Sequence, residues 1–314
     1  MPVNDVSAIT PAIWGTMVSY PLYKSLVAVD ICDTTLGDNV RGKTFQIPRF
    51  ASLSAKTYTI GTDITATNQD WSFDTLTVSA YKYADFYQDD VEFLQRNVDS
   101  TPPLAADAAF QLRNKIDQHV FQKITGATGF VNYQADAAVL EGGTTHRPIS
   151  AGSANMIPLF ANARKLLRQN NVEEMGDWVA VVNPVVAADI EKKAASSGFN
   201  VADATLRNGY AGDWMGFQVY ISNNLPSGKC SAISPTLSVA AVSATNCRGL
   251  YFGRKNMIKL VMQKTPTLEI KPFATKLGAN FVTWTVFGDL VPTNNRSRGL
   301  NVALDITATS GSGG

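Results

Sequence analysis

The most informative stretch of this chain for its fold is TPPLAADAAFQLRNKIDQHVFQKITG, Thr101–Gly126. Apolar side chains recur along it every four residues, which is typical of the buried face of an α-helix. The members of this face are Leu104, Ala108, Leu112, Ile116, Val120 and Ile124, widened by Ala105, Ala109 and Phe121. Thr101 is expected to be the N-cap and Pro102 the first helical residue, and Gly126 ends the helix. A helix of about 23 residues is about 35 Å long.

Polar residues of the same stretch are interpreted as surface groups. Arg113 and Asp117 are four residues apart, and we expect them to form a supporting ion pair on the helix. His119 lies within the helix, where a solvated or hydrogen-bonded histidine is expected rather than a metal ligand.

The segment before the helix has the alternation of β-strands. Residues 43–83 alternate apolar with polar side chains, with strands predicted at 44–48 and within 71–83. Ser52–Asn68 between them is rich in Ser and Thr and is not core-forming. We therefore predict a long hairpin whose tip is not buried in its own subunit. Because an isolated hairpin is marginal in water, this hairpin is expected to find a partner.

Two weaker segments flank the hairpin. Residues 1–40 are aromatic-rich and interrupted by prolines, which indicates an extended arm with one short helix around residues 18–29. Residues 85–97 have a mixed pattern that predicts a helix.

The pattern after residue 150 changes to alternating helix and strand. A helix is predicted over 153–169, a buried strand at Trp178–Val182, and a helix that starts at Asn183-Pro184, with Asn183 as its cap. A further strand at Phe217–Ser222 completes an α/β unit. Residues 226–247 are predicted to be a surface excursion. Later strands are predicted at 258–262, 267–270, 280–286 and 300–306.

Composition excludes several classes of protein. The 314 residues are 45% hydrophobic and 17% charged, with 27 Lys and Arg against 26 Asp and Glu. That composition does not fit a disordered chain, a chain of long apolar membrane spans, or a strongly basic nucleic-acid binder. A charged fraction below the usual quarter fits a large core, or a subunit whose exterior is covered by partners.

The cysteines and the N-terminus favour a reducing compartment. The sequence holds three cysteines without a CxxC spacing, Cys32, Cys230 and Cys247. Three reduced thiols are the favoured interpretation and a Cys230–Cys247 bridge is the alternative. Residues 1–14 have neither the basic region nor the apolar run of a signal peptide.

No motif for catalysis or cofactor binding stands in the sequence, so neither enzyme activity, a cofactor nor a metal is expected. The sequence lacks a phosphate loop, a GxGxxG turn, a GxSxG elbow and an HExxH motif. His146 lies in a loop without a second ligand nearby. The acidic group Asp85, Asp89, Asp90 and Glu92 could be the paired carboxylates of a hydrolase, but a solvated helix face is favoured.

One charge asymmetry is clear in the second half. Between residues 248 and 276 the only acid is Glu269, whereas seven bases are present. They are Arg248, Arg254, Lys255, Lys259, Lys264, Lys271 and Lys276. This run is either a solvated sheet face or a surface that meets acid. That acid would be DNA phosphate or the acidic 85–92 segment of a neighbouring subunit.

The joint order of these elements carries a resemblance. The stretch Asp38–Pro48, the acidic return through Trp71–Asp90, the long helix, and the strand and turn Trp178–Pro184 follow one another in a fixed order. A glycine-rich turn then precedes Phe217. This order resembles the major capsid protein of tailed bacteriophages, with the Hong Kong 97-like (HK97-like) fold, and most of all its short-tailed podovirus type.

The resemblance implies an α+β fold with four parts and a tail. These are an N-terminal arm (1–40), an extended loop (41–72), a peripheral domain (73–149 and 256–308), an axial domain (150–255) and a flexible tail (309–314). The long helix, about 103–126, would be the spine of the peripheral domain. The covalent Lys–Asn bond of some family members is not assigned to residues of this sequence.

The resemblance also implies a function and partners. The protein would assemble as pentamers and hexamers into an icosahedral virion shell around double-stranded DNA, contacted non-specifically, in the cytoplasm of the host bacterium. A scaffolding protein, a portal and a decoration protein would be its partners. The residues expected at subunit contacts are Ser52, Ser54, Lys56, Asp85, Asp89, Asp90, Glu92, Arg254, Lys255 and Lys259. An encapsulin-like compartment and a two-domain α/β enzyme are the alternatives.

Overall fold

The structure is a computed structural model. It describes residues 26–36, 41–51, 53–66, 68, 71–95, 100–125, 131–132, 149–150, 153–169, 171–172, 177–196, 212–229, 236–238, 247–272, 277–292 and 299–305. Helices in these ranges are α1 (Ala28–Ile31), α2 (Asp90–Gln95), α3 (Thr101–Thr125), α4 (Ser153–Gln169) and α5 (Pro184–Ser196). The strands are β1 (Thr44–Phe50), β2 (Trp71–Thr77), β3 (Ala80–Gln88), β4 (Val131–Asn132), β5 (Ile149–Ser150), β6 (Trp178–Val182), β7 (Asp213–Trp214), β8 (Phe217–Ile221), β9 (Ser227–Lys229), β10 (Thr236–Ser238), β11 (Cys247–Arg254), β12 (Lys259–Pro272), β13 (Ala279–Leu290) and β14 (Leu300–Asp305).

The strands of the described part form three sheets. β1 and β2 make a two-stranded antiparallel hairpin, and a second sheet has the order β12-β13-β3. The largest sheet runs β10-β9-β11-β6-β8-β7, with β14 beside β11 and the short strands β4 and β5 beside β14. The mixed α+β class predicted from the sequence is confirmed.

Helix α3 is the predicted long helix. It ends at Thr125, directly before Gly126. Its buried residues Ile116, Val120 and Phe121 share one core with Phe287 of β13. The predicted N-cap is wrong by one position, because the amide of Leu104 donates to the carbonyl of Ser100 and Thr101 is the first helical residue. The Thr101 hydroxyl donates to Gln88 Oε1 at 3.0 Å, which ties the start of α3 to the end of β3.

Asp117 does not form the predicted surface pair. Its side chain is buried, and Oδ1 accepts the amides of Val27 (2.9 Å) and Ala28 (2.7 Å) at the start of α1. Oδ2 accepts from Asn224 Nδ2 at 2.6 Å and from the Ser222 hydroxyl at 3.5 Å, just after β8. One carboxylate therefore joins the arm, the long helix and the largest sheet.

The predicted α/β unit is confirmed. All five residues of β6 are buried, and β6 pairs in parallel with β8. Asn183 Oδ1 accepts the amide of Val186 at 3.0 Å, so it caps α5 as predicted. Phe160 of α4 packs edge-on against Phe217 of β8 and Phe252 of β11, with ring centres 5.8 and 5.1 Å apart. Edge-to-face pairs of this kind stabilise a core beyond the apolar area that they bury.

Several predicted boundaries are wrong. Residues 85–88 belong to strand β3 and α2 begins only at Asp90, because β3 continues its pairing with β13 up to Gln88. The strands predicted at 258–262 and 267–270 are one strand, β12, with irregular pairing between Met262 and Thr267. In the described part of the arm, α1 spans Ala28–Ile31, inside the helix predicted around residues 18–29, whose first part lies outside the described residues.

The pairing of β14 concerns a range that the domain prediction covers. This strand pairs with β11 in the largest sheet, whereas the sequence interpretation placed residues 256–308 in the peripheral domain. Predictions for residues 1–25, 37–40, His146, Cys230 and the tail lie outside the described residues. No helix within the described ranges is long and apolar enough to span a membrane.

We predict that Asp117→Ala lowers the free energy of unfolding by about 2–3 kcal/mol. The change would leave the buried amides of Val27 and Ala28 without an acceptor. Chemical denaturation of the isolated subunit, followed by circular dichroism, measures the effect. The control is Asp107→Ala on the same helix, whose contact is an exposed one with Gln111 at 3.4 Å. Equal loss in both variants would contradict a special role of Asp117.

Candidate subunit interface

The β1–β2 hairpin carries apolar side chains away from its own core. Its register runs from Thr44 opposite Thr77 to Phe50 opposite Trp71. Between the strands, Leu53, Ile60 and Ile64 are 75%, 94% and 86% exposed. Such exposed apolar side chains, grouped on one projection, are typical of a surface that another protein covers.

The predicted contact residues of the tip are exposed where the structure describes them. Ser54 and Lys56 are exposed, and Ser52 lies outside the described residues. Lys56 Nζ donates to the carbonyl of Thr65 at 3.2 Å, so this base links the two sides of its own tip. The tip turns at Gly61, whose φ of +86° is a conformation that favours glycine.

The root of the hairpin is anchored in the subunit. Leu76 and Val78 form a small buried core with Val261 of β12. β13 passes so close that a Cβ added at Gly288 would lie 2.7 Å from the carbonyl oxygen of Thr77. The root is therefore fixed by packing, while the tip extends into solvent.

The predicted acidic residues divide between β3 and α2. Asp85 lies on β3 and accepts from Asn280 Nδ2 at 3.5 Å. Asp89 caps α2, since its Oδ1 accepts the amide of Val91 at 2.9 Å. That backbone hydrogen bond, together with the one from the Tyr87 hydroxyl, lowers the pKa of Asp89. Asp90 and Glu92 are exposed in the first turn of α2, where negative side chains interact favourably with the positive end of the helix dipole.

Two of the three predicted basic residues, Arg254 and Lys259, form ion pairs within the same chain. Arg254 lies 3.5 Å from Asp177, and the half-buried Lys255 donates its amide to the Asp177 carbonyl at 2.8 Å. Lys259 pairs with Asp33 just after α1. Burial raises the pKa of Asp33, but hydrogen bonds from Lys259 and Thr35 outweigh it and hold that pKa below its ordinary value.

The acidic and basic sets lie at opposite ends of the three-stranded sheet. Asp85 is in register with Val282 and, through it, with Glu269 of β12. Lys259 begins the same strand. Lys259 and Glu269 are ten positions apart, which corresponds to about 30 Å along β12. A contact between the two sets would therefore have to join different subunits.

Three of the buried carboxylates, none of them identified as a structural group from the sequence, lie around one buried thiol. They are Asp33, Asp117 and Asp289, which the structure places around the buried thiol of Cys32. Burial and these three negative charges raise the pKa of Cys32. His119 Nε2 lies 3.0 Å from Asp289 Oδ1, as expected of a hydrogen-bonded helix histidine. Within the described ranges, no group of three His, Cys, Asp or Glu side chains is arranged to hold a metal ion.

A sequence model described as phage capsid protein matches residues 73–300. No curated protein sequence matches the chain. Among solved structures, a protein of Mycobacterium phage Che8 is 18% identical, with a TM-score of 0.70 over 96% of this chain and 98% of that one. A chain of the capsid structure of cyanophage P-SCSP1u is 15% identical, with a TM-score of 0.67 over 98% of this chain and 96% of that one. A chain of the mature capsid of bacteriophage PhiM1 is 14% identical, with a TM-score of 0.66 over 95% of this chain and 92% of that one.

We predict that Asp33→Asn lowers the free energy of unfolding by about 1–2 kcal/mol at neutral pH. Because the folded-state pKa of Asp33 is lowered, its contribution is complete above the ordinary pKa of 3.8 and is lost as the pH falls through the folded-state value. The difference between wild type and variant should therefore shrink below about pH 4. Urea denaturation of the subunit across this pH range measures it.

The control for this experiment is Asp30→Asn on the exposed side of α1. A surface substitution of this kind should change the free energy of unfolding by less than about 0.5 kcal/mol. A constant difference between wild type and Asp33→Asn at every pH would contradict the role given to the Asp33–Lys259 pair.

Proposed function

The chain belongs to the phage capsid protein family and is a subunit of a capsid shell with the Hong Kong 97-like fold, and we propose how it assembles. Copies of the chain form pentamers and hexamers that close into an icosahedral shell around the double-stranded DNA of a tailed phage. The observation that supports this proposal is the β1–β2 hairpin, which is anchored at its root by Val261 and exposes Leu53, Ile60 and Ile64 at its tip.

A shell of this kind needs contacts between different surfaces of identical subunits. Such heterologous contacts close into rings when the rotation permits it. Many weak contacts acting together then hold the shell, because each new subunit is bound at several places at once. An exposed hairpin on a fixed root provides one such contact without altering the core of its own subunit.

The proposed parts of the subunit follow the sequence interpretation with one change. The spine helix α3 and the sheet β12-β13-β3 form the peripheral domain, and the α/β unit of 150–255 forms the axial domain. Since β14 pairs with β11, we assign residues 300–305 to the axial sheet.

The proposed contact residues are those predicted from the sequence. The tip residues Ser52, Ser54 and Lys56 would contact a neighbour through the hairpin. The acids Asp85, Asp89, Asp90 and Glu92 would contact it from the far end of the peripheral sheet. Arg254, Lys255 and Lys259 would contribute less, because Arg254 and Lys259 form ion pairs within the chain and Lys255 is half-buried.

The proposed partners are a scaffolding protein, a portal, a decoration protein and packaged DNA. A net charge of +1 suits a wall that contacts DNA only weakly and without sequence preference. Assembly takes place in the host cytoplasm, and the subunit needs neither a cofactor nor catalytic activity for this role. The family match does not favour the encapsulin-like or the enzyme alternative.

Light scattering and electron microscopy of the purified protein, with scaffold supplied where assembly requires it, test the proposal. We expect megadalton shells with fivefold and sixfold clusters. A protein that stays monomeric even with scaffold would contradict it. Shells that copurify with an enzyme cargo, and never package DNA, would favour the encapsulin-like alternative.

We predict that deletion of Ser52–Asn68 gives a folded subunit that does not assemble. Ala51, Gln69 and Asp70 would then join Phe50 to Trp71, and a connection of three residues is common in hairpins. The circular dichroism spectrum should stay that of the wild type, while scattering shows only small species. Loss of folding would mean that the tip belongs to the core of its own subunit.

A matched full-length variant separates hairpin length from apolar contact. Leu53→Ser, Ile60→Ser and Ile64→Ser together keep the tip but remove its exposed apolar side chains. If burial of these side chains against a neighbour drives assembly, this variant should assemble as poorly as the deletion.

A further inference from the structure

Helix α2 is too short and too exposed to be stable on its own. It has six residues and none of them is buried. Val91, Phe93 and Leu94 are 47%, 46% and 83% exposed. A helix this short is unstable in water without tertiary packing, and the cap from Asp89 supplies only part of what it needs. Its apolar side chains therefore point to a partner surface.

The opposite edge of the same sheet exposes a second apolar set. Leu268 and Ile270 lie on one face of β12 and are 42% and 60% exposed, and the Lys271 side chain, on the other face of the same strand, is 62% exposed. The order β12-β13-β3 puts β12 on one edge and the β3–α2 connection on the other. Lys271 is in register with Asn280 and, through it, with Tyr87, so both sets lie at the same end of the sheet.

The charges of the two edges are complementary. The β3–α2 edge carries the four acids Asp85, Asp89, Asp90 and Glu92. The end of β12 carries Lys264 and Lys271 around the single acid Glu269, at 3.2 and 3.9 Å. Two edges separated by the width of β13 face away from each other within one subunit. The β3–α2 edge of one copy of the chain therefore fits the β12 edge of a second copy.

We propose that the β3–α2 edge of one subunit docks against the distal β12 edge of the next. Val91, Phe93 and Leu94 pack on Leu268 and Ile270 at one face of the edge strand, and Asp90 and Glu92 face Lys271 at its other face. The contact is heterologous, so it passes from subunit to subunit around a closed ring. It does not involve the hairpin, and it gives the acidic 85–92 segment a basic partner other than Arg254, Lys255 and Lys259. It rests on the proposed shell assembly.

Charge reversal and restoration test the contact in the full chain. The first variant is Asp90→Lys with Glu92→Lys, the second is Lys271→Glu, and the third combines all three changes. Like charges brought together at an interface strongly disfavour docking. We expect each of the first two variants to assemble at least about tenfold less, and the third to return to within about twofold of the wild type. Sedimentation of shells away from free subunits gives the assembled fraction.

Two controls make the result specific. All changed residues are exposed, and the Lys271–Glu269 pair and the helix-end charges that they alter are surface interactions that contribute little to stability. The thermal unfolding of the free subunits should therefore stay close to that of the wild type, which separates docking from folding. Lys271→Glu combined with Asp213→Lys, an exposed acid of β7 in the other sheet, should not restore assembly.

Assembly of both reversed variants at the wild-type level, or a triple variant no better than its parents, would overturn the proposed contact. Either result would leave the shell function standing, because the wild type would still form shells. Failure of the wild type itself to assemble would instead contradict the proposed function.

Discussion

The buried carboxylate of Asp117 is the constraint on which the rest of the subunit depends. A charge removed from water is costly unless hydrogen-bond donors replace the lost hydration. Here the donors are two amides that open α1 and the side chain of Asn224, which also donates to Asn114 Oδ1 at 2.8 Å. These donors come from the arm and from the segment after β8. The carboxylate is satisfied only when arm, spine helix and large sheet are all in place.

That shared frame explains how the subunit can expose so much apolar surface and stay folded. The side chains that face the spine helix and the large sheet form two buried cores. The hairpin tip and α2 belong to neither core. Their apolar residues contribute little to the stability of the single subunit, so they remain available for stabilising the shell. A low charged fraction, as in this sequence, is the composition expected when some apolar residues stabilise the subunit and others are kept for contacts between subunits.

The sequence allowed prediction of those elements that local periodicity controls. α3, α4, β6 and the Asn183 cap follow from apolar spacing and helix-end chemistry within a few residues. Asp117 could not be placed in this way, because its partners Val27 and Asn224 are 90 and 107 residues away along the chain. The sequence did contain a pattern that indicates burial of Asp117. This residue stands four positions before the buried Phe121, on the side of the helix that also carries Ala105 and Ala109. β3 was predicted as a helix beyond residue 84 for the same reason, because only its pairing with β13 keeps it extended.

Charge shows how the same local view limits a prediction of the interface. The sequence displays a basic run and an acidic run, but proximity along the sequence does not tell which bases are already paired. The structure shows that Asp33 and Asp177, far from that run in sequence, neutralise Lys259 and Arg254. Asp90 and Glu92 lie on an exposed helix instead, and Lys271 extends from the opposite edge of the same sheet. Pairing within the chain thus neutralises Lys259 at the proximal end of β12, whereas at its distal end Lys264 and Lys271 share the single acid Glu269, so one positive charge remains in excess there. Contact between subunits is favoured where folding has left the charges exposed.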